Sequence, residues 1–430
     1  MNHYLRRRIR PAGITLMIIG LILICLAGGQ ASQSLFHLLG FAFALGFLSL
    51  CWLPWRRARI EIARDLPPYA TAGEPLTIRY QLKNLKARKV THIQLLETPP
   101  DPRPTPQQFL TAHEPGEENR NRFDRLFSYY CWTWLYERNQ RFEASPSTQL
   151  ITIPRLGRQS VFAKIKPNRR GVIILPDLRL LLPDPLGFFQ RCQRTPTSEG
   201  KLTVLPRRYR LPEIELPGSA RFQPGGDTAS RQIGASGEFV GLRDYHPGDP
   251  LRLIHWKSWA RTGKPIIKEF EETFFPRHGL ILDTSPDDPS LFEDAVSIAA
   301  SFAASVDSRE SLIDLMFISG QTQVISAGRG VGPATRLLAS LAAVEATDDP
   351  AYEALKKLIM QHASDLAGCL AIFAGWSPDR QKMLRNLAAA EIQIAAIVVC
   401  HEPPTARPPQ VHFVRHAELE SDLMTLPTTL

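Results

Sequence analysis

The chain opens on two apolar stretches. Ala12 to Gly29 carries no charge and consists mostly of Ile, Leu, Met and Ala; Leu35 to Trp55 repeats the pattern and ends on Trp52 and Trp55, where an aromatic belt is expected. The connection, GGQASQS, is too short for a domain, so the pattern predicts a two-helix transmembrane hairpin over residues 1–58. The period then changes to two. Leu76, Ile78, Tyr80 and Leu82 alternate with Thr77, Arg79, Gln81 and Lys83, which predicts a half-buried antiparallel strand. Further strands are expected around Ile93 and Leu95, over Val161 to Ile165, Val172 to Leu175 and Leu178 to Leu182, with breaks at Asn168-Arg169-Arg170-Gly171 and Pro183-Asp184-Pro185-Leu186-Gly187. Short strands punctuated by Pro and Gly predict a small β-sandwich over residues 59–205.

An insertion at 99–146 interrupts it. Its first part, PPDPRPTPQQ, reads as a Pro-rich connector. Its second, Arg120 to Phe142, is dense in aromatics among arginines. As a helix it places Phe123, Phe127, Tyr130 and Trp134 on one face suited to a membrane surface; as extended chain the same residues form a hairpin packed on the sandwich. Residues 206–236 turn Pro-, Gly- and Ser-rich around Gly225-Gly226 and predict a linker. Segment 237–276 follows, and then 277–430, where strands and helices alternate. There Gly279 to Asp283 reads as a buried strand, and Ser290 with Glu293 as a capping box before a helix carrying Leu291, Ala295, Ile298, Phe302 and Val306. A hairpin over Ile313 to Ser326, helices over Pro333–Glu345, Ala351–His362 and Pro378–Ala390, and strands over Cys369–Ala374 and Ile392–Val399 complete the pattern; His401 onward reads as a frayed tail.

Charge sharpens the location. The net charge is +9, but residues 1–59 hold seven Arg (Arg6, Arg7, Arg8, Arg10, Arg56, Arg57 and Arg59) and no acid, which leaves +2 for the rest and removes the case for a nucleic-acid partner. Arginines at both outer ends of the hairpin, with none in its connection, place both termini and the soluble domains in the cytoplasm. A signal peptide cleaved near Ala31 is the competing outline, and it leaves the second arginine cluster unexplained. Six scattered Cys show no metal spacing and read as reduced thiols.

The stretch densest in constrained residues is Gly237 to Glu272. A strand over Phe239–Tyr245, a turn at His246-Pro247-Gly248-Asp249, a short helix capped by Asp249 and carrying Leu251, Ile254 and Trp259, a stop at Thr262-Gly263 and a strand from Ile266 are expected. Six basic residues balance six acids, which points to internal ion pairs.

This stretch resembles the signature of the domain of unknown function 58 family, through Gly237, Phe239, Gly241, Leu242, Arg243, Tyr245, Pro247, Gly248, Asp249, Arg252, Ile254, Trp256, Lys257, Ala260, Arg261, Thr262 and Gly263. The resemblance implies a bacterial inner-membrane protein with two spans. It also implies partnership with MoxR-type AAA+ ATPases and von Willebrand factor A proteins as an adaptor or assembly factor. Arg243, Tyr245, Gly248, Asp249, Arg252, Trp256, Lys257 and Arg261 are the candidate partner residues, in a segment expected to clamp the β-rich half to the α/β half.

The alternation after residue 277 resembles a von Willebrand factor A-like (Rossmann-type) α/β domain. In that fold a D-x-S-x-S loop, with a Thr and a further Asp, holds Mg²⁺ through oxygen ligands. Here the loop offers Asp283, Ser285 and Asp287; Gly375-Trp376-Ser377 stands where the distal Asp is expected, and the nearest Thr is Thr335. The set therefore reads as a degenerate metal site, with no resident cofactor expected. A Mg²⁺-dependent receptor module is the alternative to an adaptor. His255 lacks an acid–base partner, and Ser285 lacks a G-x-S-x-G elbow and a His, so an enzyme is not expected.

Overall fold

The computed structural model describes residues 11–27, 33–112, 121, 129–147, 150–195, 197, 199–217, 238–271, 277–305, 312–319, 321–328, 333–347, 352–363, 365–390, 392–405 and 407–428. The chain divides into two units, Met1–Arg207 and Arg208–Leu430.

The first unit begins with helices α1 (Pro11–Ala27) and α2 (Gln33–Trp52). They lie against each other, with Leu16 packed over Gly46. Among the described residues, Phe36–Trp55 alone is long and apolar enough to cross a membrane. At 1.5 Å per residue, the 17 residues of α1 reach about 26 Å, short of the ~30 Å hydrocarbon core. Of the two expected spans, the described residues therefore show one helix of sufficient length. The arginines before Pro11 and residues 28–32 of the hairpin connection lie outside the described residues.

Strands β1 (Ile60–Asp65), β2 (Tyr69–Thr71), β3 (Leu76–Asn84), β4 (Val90–Thr98), β5 (Phe142–Ala144), β6 (Ile151–Ile153), β7 (Arg158–Pro167), β8 (Gly171–Leu175), β9 (Asp177–Pro183), β10 (Gln190–Thr195) and β11 (Gly200–Leu205) follow, of which β3, β4, β7, β8 and β9 are those expected from the sequence. They form sheets ordered β1-β3-β7-β5, β10-β9-β4-β6 and β2-β11-β8. In β3 every second residue from Ile78 to Asn84 is buried, as the sequence alternation demands. Ile78, Tyr80 and Leu82 share one core with Ile93, Leu95, Leu178 and Leu180 across the layers. Inside it, the Glu97 carboxylate accepts from Arg64 Nε at 2.8 Å and from Tyr80 Oη at 2.9 Å, so a buried charge is paired and hydrogen-bonded.

Within the insertion, α3 (Pro106–Thr111) starts on a Thr105–Gln108 capping box, inside what the sequence presents as a connector. From Tyr129 to Asn139 the aromatic run is helical, α4 (Tyr129–Asn139), and Phe142 opens β5. The inward face of α4 is Cys131 and Leu135, whereas Tyr129, Tyr130 and Trp132 are exposed. Phe123 and Phe127 lie outside the described residues.

The second unit takes in the start of the expected linker. Tyr209 N donates to Ser301 Oγ at 2.8 Å and Glu215 N to the Thr428 carbonyl at 2.7 Å, so residues 208–217 are strapped to it. Residues 218–237, with Gly225-Gly226, lie outside the described residues. Next come β12 (Glu238–Asp244), α5 (Trp256–Thr262) and β13 (Ile266–Glu271). The remainder is β14 (Arg277–Leu282), α6 (Pro289–Ser305), β15 (Leu312–Ser319), β16 (Gln321–Gly328), α7 (Thr335–Ala343), α8 (Tyr352–His362), β17 (Gly368–Ala374), α9 (Pro378–Ala389), β18 (Ile394–Cys400), β19 (Val411–Arg415) and α10 (Leu419–Met424). These strands form one sheet in the order β16-β15-β14-β17-β18-β19, parallel except for β16.

Two local expectations are corrected here. Ser290 is not the cap of α6: Asp288 Oδ1 accepts from Ser290 N at 2.9 Å and Pro289 opens the helix, since an Asp-Pro pair supplies both cap and preset first residue. The residues after His401 are not a frayed tail. Val414 and Leu423 are fully buried, because β19 and α10 complete the sheet edge.

Candidate functional site

Two places in the second unit gather the sequence-predicted residues. The first is the hairpin of β12 and β13, which pair antiparallel with a register shift between Phe239 and Gly241. At its end, Asp249 N donates to the His246 carbonyl at 3.0 Å, and Gly248 adopts φ +109°, a conformation that suits a residue without Cβ. Asp249 was expected to cap a helix. Its carboxylate instead receives a fork of two bonds from Arg243, Nη1 at 2.7 Å and Nη2 at 2.8 Å, and a third from His246 N at 2.9 Å. Two parallel bonds between a guanidinium and a carboxylate are stronger than the single backbone N–H bond of a cap, which accounts for the choice. These donors hold the Asp249 carboxyl down at about 2, the Arg243 bonds contributing most.

After a single 3₁₀ turn at Leu251–Leu253, Ile254 bridges to Ile267, and both are buried. His255 N donates to Ile266 O at 2.9 Å, so α5 is fastened to β13 at its start. The helix ends at Gly263, φ +71°, whose N–H bonds Trp259 O. Tyr245 is half-buried and ties to Pro265 O through its N–H.

What this scaffold presents is unusual for a surface. Trp256 is 64% exposed and stacks on Trp259 with ring centroids 5.3 Å apart; Leu251 is 65% exposed. Arg252, Lys257 and Arg261 are exposed beside them and form no ion pair among the described residues. Balanced composition therefore yields one strong internal pair, Arg243–Asp249, and leaves Arg252, Lys257, Arg261 and Lys264 exposed without an ion pair among the described residues.

The second place is the crevice at the carboxyl ends of β14 and β17. From β14 the sheet grows first toward β15 and then, in the other direction, from β17 onward. That reversal of strand order is where open α/β sheets bind ligands. Asp283 stands just past β14 and Gly375-Trp376-Ser377 just past β17. The position is filled from within the chain. Arg380, 0% exposed and borne on α9, places Nε 2.7 Å from Asp283 Oδ2 and Nη1 2.6 Å from Asp287 Oδ1, and Nη2 donates to the Ser285 carbonyl. Asp283 Oδ1 accepts from Ser285 N at 3.0 Å. The Tyr352 ring lies under the guanidinium, 5.8 Å from its centroid to Arg380 Cζ. Burial pushes the Asp283 carboxyl up, and Arg380 pulls it back.

Asp283, Ser285 and Asp287 are thus brought together, but around a guanidinium. An Mg²⁺ ion needs those carboxylate oxygens turned to a shared centre free of other cations. Both carboxylates are instead engaged by Arg380, and Ser285 contributes its backbone carbonyl. The residues do not fit the metal. Thr335 opens α7 and is not part of this constellation. Sequence reasoning missed Arg380; its signal was an arginine one turn into a helix that follows the expected metal loop at Gly375.

Residues 241–426 match the family model described as protein of unknown function DUF58. Over those residues the chain is similar to the DUF58 family. The DUF58 region begins at Gly241 within the first hairpin strand and runs past α10, so it contains both the tryptophan platform and the arginine-filled crevice. No curated protein matches the chain.

Proposed function

We propose that the protein is a membrane-anchored cytoplasmic adaptor that engages an acidic protein partner through the α5 platform. The observation that carries this reading is the exposed Trp256, stacked on the half-buried Trp259 and flanked by Arg252, Lys257 and Arg261. Aromatic and arginine side chains of this kind supply most of the affinity at protein interfaces, and the unpaired cations select a partner of opposite charge. Arg243 and Asp249 hold the platform from behind, and Gly248 and Tyr245 set its turn. By resemblance of the signature, the partner is a MoxR-type AAA+ ATPase, working with von Willebrand factor A proteins. The anchor is the apolar hairpin at the N-terminus of a bacterial inner-membrane protein with two spans, its termini and soluble domains on the cytoplasmic side.

The second unit is taken as a von Willebrand factor A-like domain on its central β14 and antiparallel β16. A metal-dependent receptor mode is disfavoured, because Arg380 already neutralises Asp283 and Asp287. No catalytic role is assigned to either place. The test is binding of the full chain in nanodiscs to a purified MoxR-type ATPase of the same cell. Trp256→Ala and the triple Arg252→Glu, Lys257→Glu, Arg261→Glu variant should each weaken it at least tenfold, and wild-type binding should weaken as salt rises. Equal binding by all three proteins would overturn the reading.

A further inference from the structure

The last turn of α2 is built into the β unit. Ser49, in an otherwise apolar helix, is 2% exposed, and its hydroxyl donates to Asp184 Oδ2. Asp184 is itself buried and also accepts from Leu186 N at 3.1 Å and Phe189 N at 3.0 Å. One carboxylate thus organises the loop between β9 and β10 and grips the helix. Arg56 adds bonds to Pro183 O at 3.2 Å and Thr91 O at 3.1 Å, and Arg191 Nη1 donates to Pro54 O at 3.0 Å. The Pro-Leu-Gly break at 185–187 is therefore fixed beside the end of the apolar helix.

Around this joint aromatic, aliphatic and basic side chains face solvent. Trp52 is 47% exposed, Trp55 85% and Leu186 44%, and Arg57 and Arg59 are exposed as well. Tryptophan and an aliphatic tip seat well at the headgroup level, and arginine pairs with anionic headgroups. Because Ser49 and Asp184 are in hydrogen-bond contact, any placement of α2 in a bilayer carries the β9–β10 loop to the surface from which the helix emerges. We propose that this loop, with Leu186 at its tip beside Trp52, Trp55 and Arg57, rests on the headgroups of an anionic phospholipid bilayer.

The proposal rests on α2 entering the membrane, and the experiment separates the two. The full chain is reconstituted into phosphatidylcholine–phosphatidylglycerol vesicles with a coumarin amino acid in place of Leu186, or in place of Phe43 as a control. Quenching by lipids carrying a nitroxide at the headgroup or deep in the acyl chain is then read. The expected result is at least twofold stronger quenching of position 186 by the headgroup probe than by the deep probe, and the reverse order at position 43. Asp184→Ala should lose the quenching at 186 and keep that at 43. Quenching at 43 with none at 186 overturns the docking of the loop. Quenching at neither position overturns the membrane reading and this proposal with it.

Discussion

Arg380 Nε lies 2.7 Å from Asp283 Oδ2, and neither side chain is open to water. A guanidinium is charged at any accessible pH, so the crevice carries a permanent internal cation. Removing it leaves a buried carboxylate without compensation. Arg380→Ala is expected to cost about 3–5 kcal/mol of unfolding free energy, measured by denaturant titration, because a broken buried pair loses more than the intact pair contributes. Arg380→Lys should fall between, since a lysine cannot reach Asp283, Asp287 and the Ser285 carbonyl together.

The same geometry predicts indifference to divalent ions. A ligand that binds only the folded state at 100 times its dissociation constant raises stability by about 2.7 kcal/mol. The wild-type chain should show no such shift of its melting temperature between EDTA and millimolar Mg²⁺. A saturable rise that disappears in Asp283→Ala would restore the metal-site reading.

Asp249 predicts a pH dependence. Its folded carboxyl is held at about 2, below the ordinary value of 3.8, by Arg243 and the His246 N–H. Its stabilising contribution is therefore complete above the unfolded value and is lost as pH falls from there through about 2. A carboxyl ¹³C titration of the wild-type chain should read that low value, and Arg243→Gln should return it toward 3.8. An unshifted Asp249 in the wild-type chain would dissolve the pair.

The platform residues should separate stability from binding. Trp256 is 64% exposed, so Trp256→Ala is expected to change unfolding free energy by less than about 1 kcal/mol and leave proteolysis between 206 and 236 unchanged. A large loss of stability would mean that the indole is covered in solution.

Much of this was legible in the alternation of residues. The β3 strand, the hairpin turn at His246–Asp249 and the Gly263 stop follow from period and from glycine placement, which are local properties. What was not legible depends on partners far apart in sequence. Arg380 reaches Asp283 across 97 positions, and Ser49 reaches Asp184 across 135. Nothing in either neighbourhood announces the other. Val411–Arg415 was read as tail because a five-residue strand with two buried positions, Val411 and Val414, carries little periodic signal. The charge balance of the signature segment suggested several ion pairs. Only the fold reveals that Arg243 takes Asp249 and that Arg252, Lys257 and Arg261 stay exposed.

The most direct test of the adaptor reading is the affinity of the nanodisc-held full chain for the MoxR-type ATPase, measured by biolayer interferometry for wild type and Trp256→Ala at low and physiological salt. The account predicts saturable wild-type binding that weakens with salt and an at least tenfold loss in Trp256→Ala at unchanged melting temperature. Wild-type and variant affinities that coincide, or no binding by a folded wild-type chain at either salt, would contradict it.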